Sequence, residues 1–204
     1  MVIIRDANLR DAEACRQIFD HYLKTTAVHF SASAPPPEEY ARYMQRVMER
    51  YPWFAAKEDG AVKGFAYAGP FLDRPPYAWS CEITIYVAPD AVGTGIGRML
   101  FEKLEESLRR MGIVNLYAYI AVPDGEDEYL TMNSADFHAH MGFRKNADFR
   151  RCGRKFGRWY SVIWMEKQIG EQLEDQPPVI YYPELAAERG RSDSAHERAR
   201  RHGI

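Results

Sequence analysis

The sequence predicts an α/β (α+β) domain, a central mixed sheet of about seven strands flanked by about four helices. Two observations point to it. The apolar run Cys81 to Val87 leads through Pro89 into a glycine-rich turn, Gly93-Thr-Gly-Ile-Gly97, which opens onto an amphipathic helix with apolar Ile96, Leu100, Leu104, Leu108 and Met111. Strand-like and helix-like runs also alternate through residues 1–168, and an Asp-Gly turn between two apolar runs marks a hairpin.

The elements follow in order. Val2 to Arg5 is a short apolar run ending at a polar turn, and Asp11 is placed to cap a helix whose apolar side holds Ala14, Ile18, Tyr22 and Leu23. Thr25 to Pro37 mixes small residues with three consecutive prolines and must be a loop. Helical spacing resumes from Glu38 to Tyr51 through Tyr40, Tyr43, Met44 and Val47. Trp53 to Lys57 and Val62 to Ala68 flank Glu58-Asp-Gly60 as a hairpin, and Ser80 to Val87 is the central strand. The helix of residues 97–111 stops at Gly112, and Leu116 to Val122 is a strand rich in Tyr, Ile and Val. Ser134 would cap a short helix through Met141, Gly142 would end it, and Arg144 to Arg151 and Ser161 to Glu166 complete the sheet. There is no internal repeat.

The 204 residues suffice for one core, and 46% hydrophobic with 27% charged residues is ordinary for a globular chain. A formal net charge of −2 argues against nucleic-acid or membrane partners found by bulk electrostatics and favours a small molecule. Cys15, Cys81 and Cys152 are scattered without a C-x-x-C, so a reducing compartment is expected. With no signal-like or membrane-spanning apolar run, the expected location is cytoplasmic. Residues 1–168 form the expected domain and 169–204 a C-terminal extension. The patch Val179 to Tyr182 has the choice of this domain or a second subunit, and the last fifteen residues are expected to be mobile.

The glycine-rich turn is a phosphate cradle: bare amides converge there, and the helix N-terminus adds a positive dipole. A dinucleotide fingerprint fails because Arg98 stands where its third glycine belongs, and a Walker loop fails because the nearest lysine, Lys103, lies a turn inside the helix. Strand parity puts Ser80, Glu82, Thr84 and Tyr86 on one face, so Glu82 shares a polar face with hydroxyl-bearing neighbours. A carboxylate on a largely apolar strand can have a raised pKa suited to taking a proton from an amine. His138 is a second acid/base candidate, while His138 and His140 lack a third ligand at recognisable spacing, so no metal is expected.

Four segments stand in order and at suitable spacing: Tyr67 to Glu82, Val92 to Gly97, Asn133-Ser through His138-Ala-His-Met-Gly-Phe143, and Gly153-Arg-Lys-Phe-Gly-Arg-Trp159. Together they resemble the phosphinothricin acetyltransferase branch of the GNAT superfamily of N-acetyltransferases, over residues 1–168. The resemblance implies the GNAT fold and acetyl-CoA as co-substrate. Main-chain groups of Ile85, Tyr86 and Val87 would pair with its pantetheine arm, Val92, Gly93, Thr94, Gly95, Ile96, Gly97 and Arg98 would hold its pyrophosphate, and Asn133 would touch the arm. Val92 departs from the Arg or Gln usual at that place, which removes one side-chain contact. Glu82 becomes the general base, and His138 stands where many relatives use a tyrosine to protonate the leaving thiolate. Arg74 and Tyr77 would grip an acidic amino-acid analogue, with Phe30, Lys155 and Phe156 lining the pocket. The implied activity is acetylation of the α-amine of a small amino acid or an analogue of phosphinothricin or methionine sulfoximine type, in a homodimer. Two other readings stay open: a non-catalytic acyl-CoA-binding module, and an acetyltransferase of proteins or peptides. The acidic insertion Asp124 to Tyr129 lengthens a loop near the expected site, which leaves the substrate open.

Overall fold

The computed structural model describes residues 1–187. Its elements run β1 (Ile3–Asp6), α1 (Ala12–Thr25), α2 (Pro37–Met48), β2 (Trp53–Glu58), β3 (Ala61–Pro70), β4 (Ser80–Val87), α3 (Ile96–Met111), β5 (Asn115–Val122), α4 (Asn133–His140), β6 (Arg144–Lys155) and β7 (Arg158–Gln168). The seven strands form one sheet in the order β1-β2-β3-β4-β5-β7-β6. β4 and β5 are parallel, as the intervening α3 crossover requires, and every other neighbouring pair is antiparallel. The mixed sheet expected from the sequence is therefore present.

Small residues decide which helix lies where. Gly64, Ala66 and Ala68 of β3 and Cys81 and Ile83 of β4 share one face, and a Cβ on Gly64 would stand 3.2 Å from both Ile96 and Leu100 of α3. The helix thus lies close on that face, burying Ile96, Leu100, Leu104, Leu108 and Met111. Burial of its three leucines alone is worth roughly 5–9 kcal/mol before entropy, which holds the N-terminus of α3 still. The opposite face is aromatic beneath α1 and α2: Trp53 stacks on Tyr67 at 4.1 Å, and Phe19 meets Tyr86 edge-on at 5.3 Å.

Several local expectations need correction. Asp11 stands at the N-cap position of α1 but gives that helix no side-chain bond: its carboxylate binds the Arg5 guanidinium at 2.7 and 2.8 Å and the Asn8 amide at 3.0 Å, closing a capping box on the preceding 3₁₀ turn. α2 begins one residue earlier than Glu38, at Pro37, because proline at the first helical position has no amide to leave unpaired, and it ends at Met48. Ser134 lies inside α4 rather than capping it. β6 and β7 are longer than expected and meet in a hairpin whose turn residues Phe156 and Gly157 have φ of 47° and 77°, the twist of a primed two-residue turn.

The extension lies back on its own domain. Ile180 donates to the Met111 carbonyl at 2.9 Å and Tyr182 to the Arg50 carbonyl at 3.0 Å, while Tyr182 and Leu185 are buried in the main core. The last fifteen residues, for which mobility was expected, lie outside the described residues.

Candidate active site

β4 and β5 pair only through Ser80 with Asn115, Cys81 with Leu116 and Glu82 with Tyr117, and no pairing between them continues beyond Glu82. On its other edge β4 stays paired with β3 as far as Val87. From Ile83 to Val87 the main-chain groups that point toward β5 have therefore lost a strand partner, and an extended chain can add there as a strand would. Ile85, Tyr86 and Val87 lie on this open edge, although the Val87 carbonyl also accepts from the Tyr22 hydroxyl of α1 at 2.7 Å.

The opening leads to the glycine turn. Gly93 and Gly95 have φ of 83° and 88°, a region that costs other residues energy, and nothing lies within 4 Å of a Cβ built on either. Gly95 is the N-cap of α3 and offers no side chain to the helix. The first intrahelical bond runs from Met99 to the Gly95 carbonyl at 3.1 Å, so the amides of Gly95, Ile96, Gly97 and Arg98 precede the ladder and are free for an anion. These residues fit a diphosphate through backbone amides and dipole. Side chains add little: Val92 is exposed, Thr94 donates its hydroxyl to the Ala91 carbonyl at 2.7 Å, and Arg98 pairs with Glu102 at 2.7 Å. Asn133 is the first residue of α4, whose Phe137 would stand 3.5 Å from a Cβ placed on Gly97, so α4 packs against the first turn of α3.

Glu82 sits where the two strands part. Thr84 and Tyr67 face each other across β3 and β4 on its side of the sheet, and Tyr117 is its direct partner on β5. The Tyr43 hydroxyl of α2 bonds the Tyr67 hydroxyl at 3.1 Å and lies within electrostatic reach of Glu82, as does Tyr119 of β5. Burial among these rings pushes the Glu82 carboxyl above its ordinary value, and among the described residues no cation forms an ion pair with it to offset this. Strand parity locates Glu82 in the sequence but not its aromatic surroundings, for which the alternation of Tyr117 and Tyr119 is the available signal.

Other expected site residues are placed differently. His138 is buried, its Nδ1 donates to the Ser134 carbonyl at 2.7 Å, and its ring meets Phe143 edge-on at 5.2 Å. Burial lowers its pKa, so the neutral ring with a bare Nε2 is favoured. That tautomer accepts a proton and does not supply one, which weakens the expected part as acid for the thiolate. Lys155 is buried and gives its ammonium to the carbonyls of Leu23 and His29, each at 2.6 Å, thereby tying the C-terminus of α1 to the following loop. Phe30 stacks toward Tyr160 at 6.3 Å and fills the space over Gly153, where any Cβ would overlap its ring. Phe156 packs on Tyr129 at 4.5 Å. Phe30 and Tyr129 pack against a small second core of Ala27, Ala121, Leu130 and Tyr160, and the acidic insertion is clasped to the β6–β7 hairpin: Asp127 and Glu128 pair with Arg158 at 2.8 and 2.6 Å.

Arg74 and Tyr77 line a shallow cavity of about 280 Å³ with Arg50, Asp73 and Tyr181. Arg50 is bound by Asp73 at 3.2 Å and by the Tyr181 hydroxyl at 2.9 Å, whereas Arg74 is exposed and forms no ion pair among the described residues. Glu82 does not line this cavity, but Tyr77 connects the two through Phe71, 6.0 Å between ring centres. Among the described residues no group of three or more His, Cys, Asp or Glu converges as a metal site, and no helix is long and apolar enough to cross a membrane.

A mixed sheet that splits between two parallel strands, with a glycine-entered helix at the split, offers an extended chain a strand edge and an anion a ring of free amides. Comparison with known proteins gives the family. The acetyltransferase (GNAT) domain model matches residues 4–164, and the chain belongs to that family. It is an acetyltransferase by this membership. It is 33% identical over 168 residues to a phosphinothricin N-acetyltransferase of Streptomyces viridochromogenes, covering 82% of this chain and 88% of that one. It is 30% identical over 169 residues to an L-methionine sulfoximine/L-methionine sulfone acetyltransferase of Salmonella typhimurium, covering 82% and 95%. Among solved structures, a phosphinothricin acetyltransferase of Sinorhizobium meliloti in complex with acetyl-CoA superposes with a TM-score of 0.78 at 26% identity, covering 89% of this chain and 98% of that one.

Proposed function

We propose that this acetyltransferase moves an acetyl group from acetyl-CoA to the α-amine of a small amino acid or an analogue of phosphinothricin or methionine sulfoximine type, with Glu82 as general base. The observation that carries the reading is the position of Glu82: a half-buried carboxylate, paired with no cation among the described residues, at the point where β4 and β5 separate, where burial raises its pKa. The relatives named for phosphinothricin and methionine sulfoximine, and the neighbour solved with acetyl-CoA, supply the substrate classes.

Acetyl-CoA supplies the activated acetyl group. The amides from Gly95 to Arg98 and the dipole of α3 would hold its diphosphate, the open edge of Ile85 to Val87 would orient its arm, and Asn133 at the start of α4 would touch that arm. Glu82 accepts a proton from the substrate ammonium, freeing the lone pair that attacks the thioester carbonyl; the N–C bond forms, the C–S bond breaks, and the expelled thiolate takes up the second proton that the nitrogen loses as it becomes an amide. The guanidinium of Arg74, in no ion pair among the described residues, holds the substrate's α-carboxylate together with Tyr77. His138, with Nε2 bare, serves as a hydrogen-bond acceptor at the foot of α4 and not as the acid.

Thiol release from acetyl-CoA, measured across amino acids and their phosphinate, sulfoximine and sulfone analogues, tests the proposal. Turnover with α-amino acids is expected. Acetyl-CoA binding without thiol release for any amine would overturn it in favour of a non-catalytic acyl-CoA-binding module.

A further inference from the structure

The acetyl-transfer reading leaves a group of aromatic side chains beside Glu82 without a task. Glu82 pairs in register with Tyr117, and Tyr119 with Trp164 of β7, so all four side chains share one face of the sheet. Phe71, just past β3, stacks on Tyr117 at 4.1 Å with rings 23° apart and meets Trp164 edge-on at 4.8 Å. Trp164 meets Tyr119 edge-on at 6.2 Å. The result is a continuous aromatic shelf that starts at the carboxylate and runs across β5 to β7. Beneath α1 and α2 the same face is packed over β2, β3 and β4, whereas Tyr119 is 50% exposed.

The end of the shelf at Glu82 is acidic, while at the other end Glu166 is in register with Tyr117 on one side and with Arg144 of β6 on the other. The rings themselves present polarizable faces and apolar area. At the Glu82 end an acidic side chain would meet a carboxylate that has no ion pair among the described residues, and the Arg74 guanidinium is given to the substrate's α-carboxylate. An apolar ring or thioether would gain stacking and lose water.

We infer that this shelf seats the side chain of the amino-acid substrate, and that the preferred substrates are α-amino acids with a large aromatic or thioether side chain instead of a short acidic one. The inference rests on the acetyl-transfer reading: with the α-amine at Glu82, the shelf is the apolar direction open to the Cα substituent. It separates this chain from a relative named for phosphinothricin, whose side chain ends in an acid.

The test is kcat/KM at saturating acetyl-CoA for L-phenylalanine, L-methionine, L-alanine, L-glutamate and phosphinothricin, with the full chain. L-phenylalanine and L-methionine should exceed L-glutamate and phosphinothricin by about tenfold or more. Tyr119→Ala should cut the ratio of L-phenylalanine to L-alanine by about tenfold, Tyr119→Phe should restore it, and Trp164→Leu gives a second, independent reading. Equal or better use of phosphinothricin or L-glutamate would overturn the shelf and leave acetyl transfer standing. Absence of thiol release with every amine would overturn the acetyl-transfer reading and the shelf with it. A changed oligomeric state in Tyr119→Ala with the ratio intact would assign the shelf to a second copy of the chain and overturn the inference.

Discussion

Gly95→Ala adds one methyl group at the entry to α3, and two separate effects should follow. The first is strain. Gly95 has φ of 88°, and a Cβ there meets nothing within 4 Å, so no clash adds to the backbone term. An alanine held in the left-handed region costs roughly 1–2 kcal/mol, and at about 2–4 °C per kcal/mol for a chain of this size Tm should fall by roughly 2–8 °C. The second effect concerns binding. Either the methyl group enters the space in front of the free amides, or the backbone relaxes and turns an amide away. Loss of one charge-assisted hydrogen bond costs about 1.5–3 kcal/mol, or roughly 10- to 150-fold in Kd for acetyl-CoA. Gly112→Ala is the control, because Gly112 has φ of 84°, also faces open space, and closes the other end of the same helix. Calorimetric titration with acetyl-CoA, paired with thermal melts, should show similar losses of Tm in both variants and weaker binding only in Gly95→Ala. Unchanged affinity in Gly95→Ala would refute the cradle.

Other consequences follow from the same structure. Because burial raises the Glu82 pKa in the folded chain, the folded state holds its proton to higher pH than the unfolded chain does; stability falls as pH rises through the window between the two values and stays lower above it. Glu82→Gln should therefore melt above wild type at pH 8, with the gap closing near pH 4, and melts across pH would show this. In wild type the acidic limb of kcat/KM should lie above the ordinary carboxylate range; a limb at ordinary carboxylate pH would count against Glu82 as base. Lys155→Met leaves the Leu23 and His29 carbonyls without their donor and should lower stability by roughly 1–3 kcal/mol, with faster hydrogen exchange over residues 26–36 and little change in KM for the amine. His138→Asn, which removes a buried ring packed on Phe143, should lower Tm while kcat falls by less than about tenfold.

Much of the fold was legible because local and global patterns agree. The stripe from Ile96 to Met111 ends at Gly112, and the alternation along Ser80 to Val87 separates Glu82, Thr84 and Tyr86 from the face that α3 covers. The β6–β7 hairpin was hidden because β6 is a polar edge strand, exposed over most of its length, and its turn uses Phe156 at a φ that favours glycine or asparagine. Lys155 read as a pocket residue because its partners, Leu23 and His29, are more than a hundred positions away in the chain. The rings around Glu82 come from α2, β3, the β3–β4 connection and β5, so only tertiary structure assembles them.

The most direct test of the whole account is Glu82→Gln, which keeps the shape of the side chain and removes its basicity. Acetyl-CoA affinity, by calorimetry, should match wild type, while kcat for acetyl transfer falls by roughly 10²–10⁴-fold. Wild-type kcat in this variant would contradict the assignment of Glu82 as the group that takes the proton from the amine.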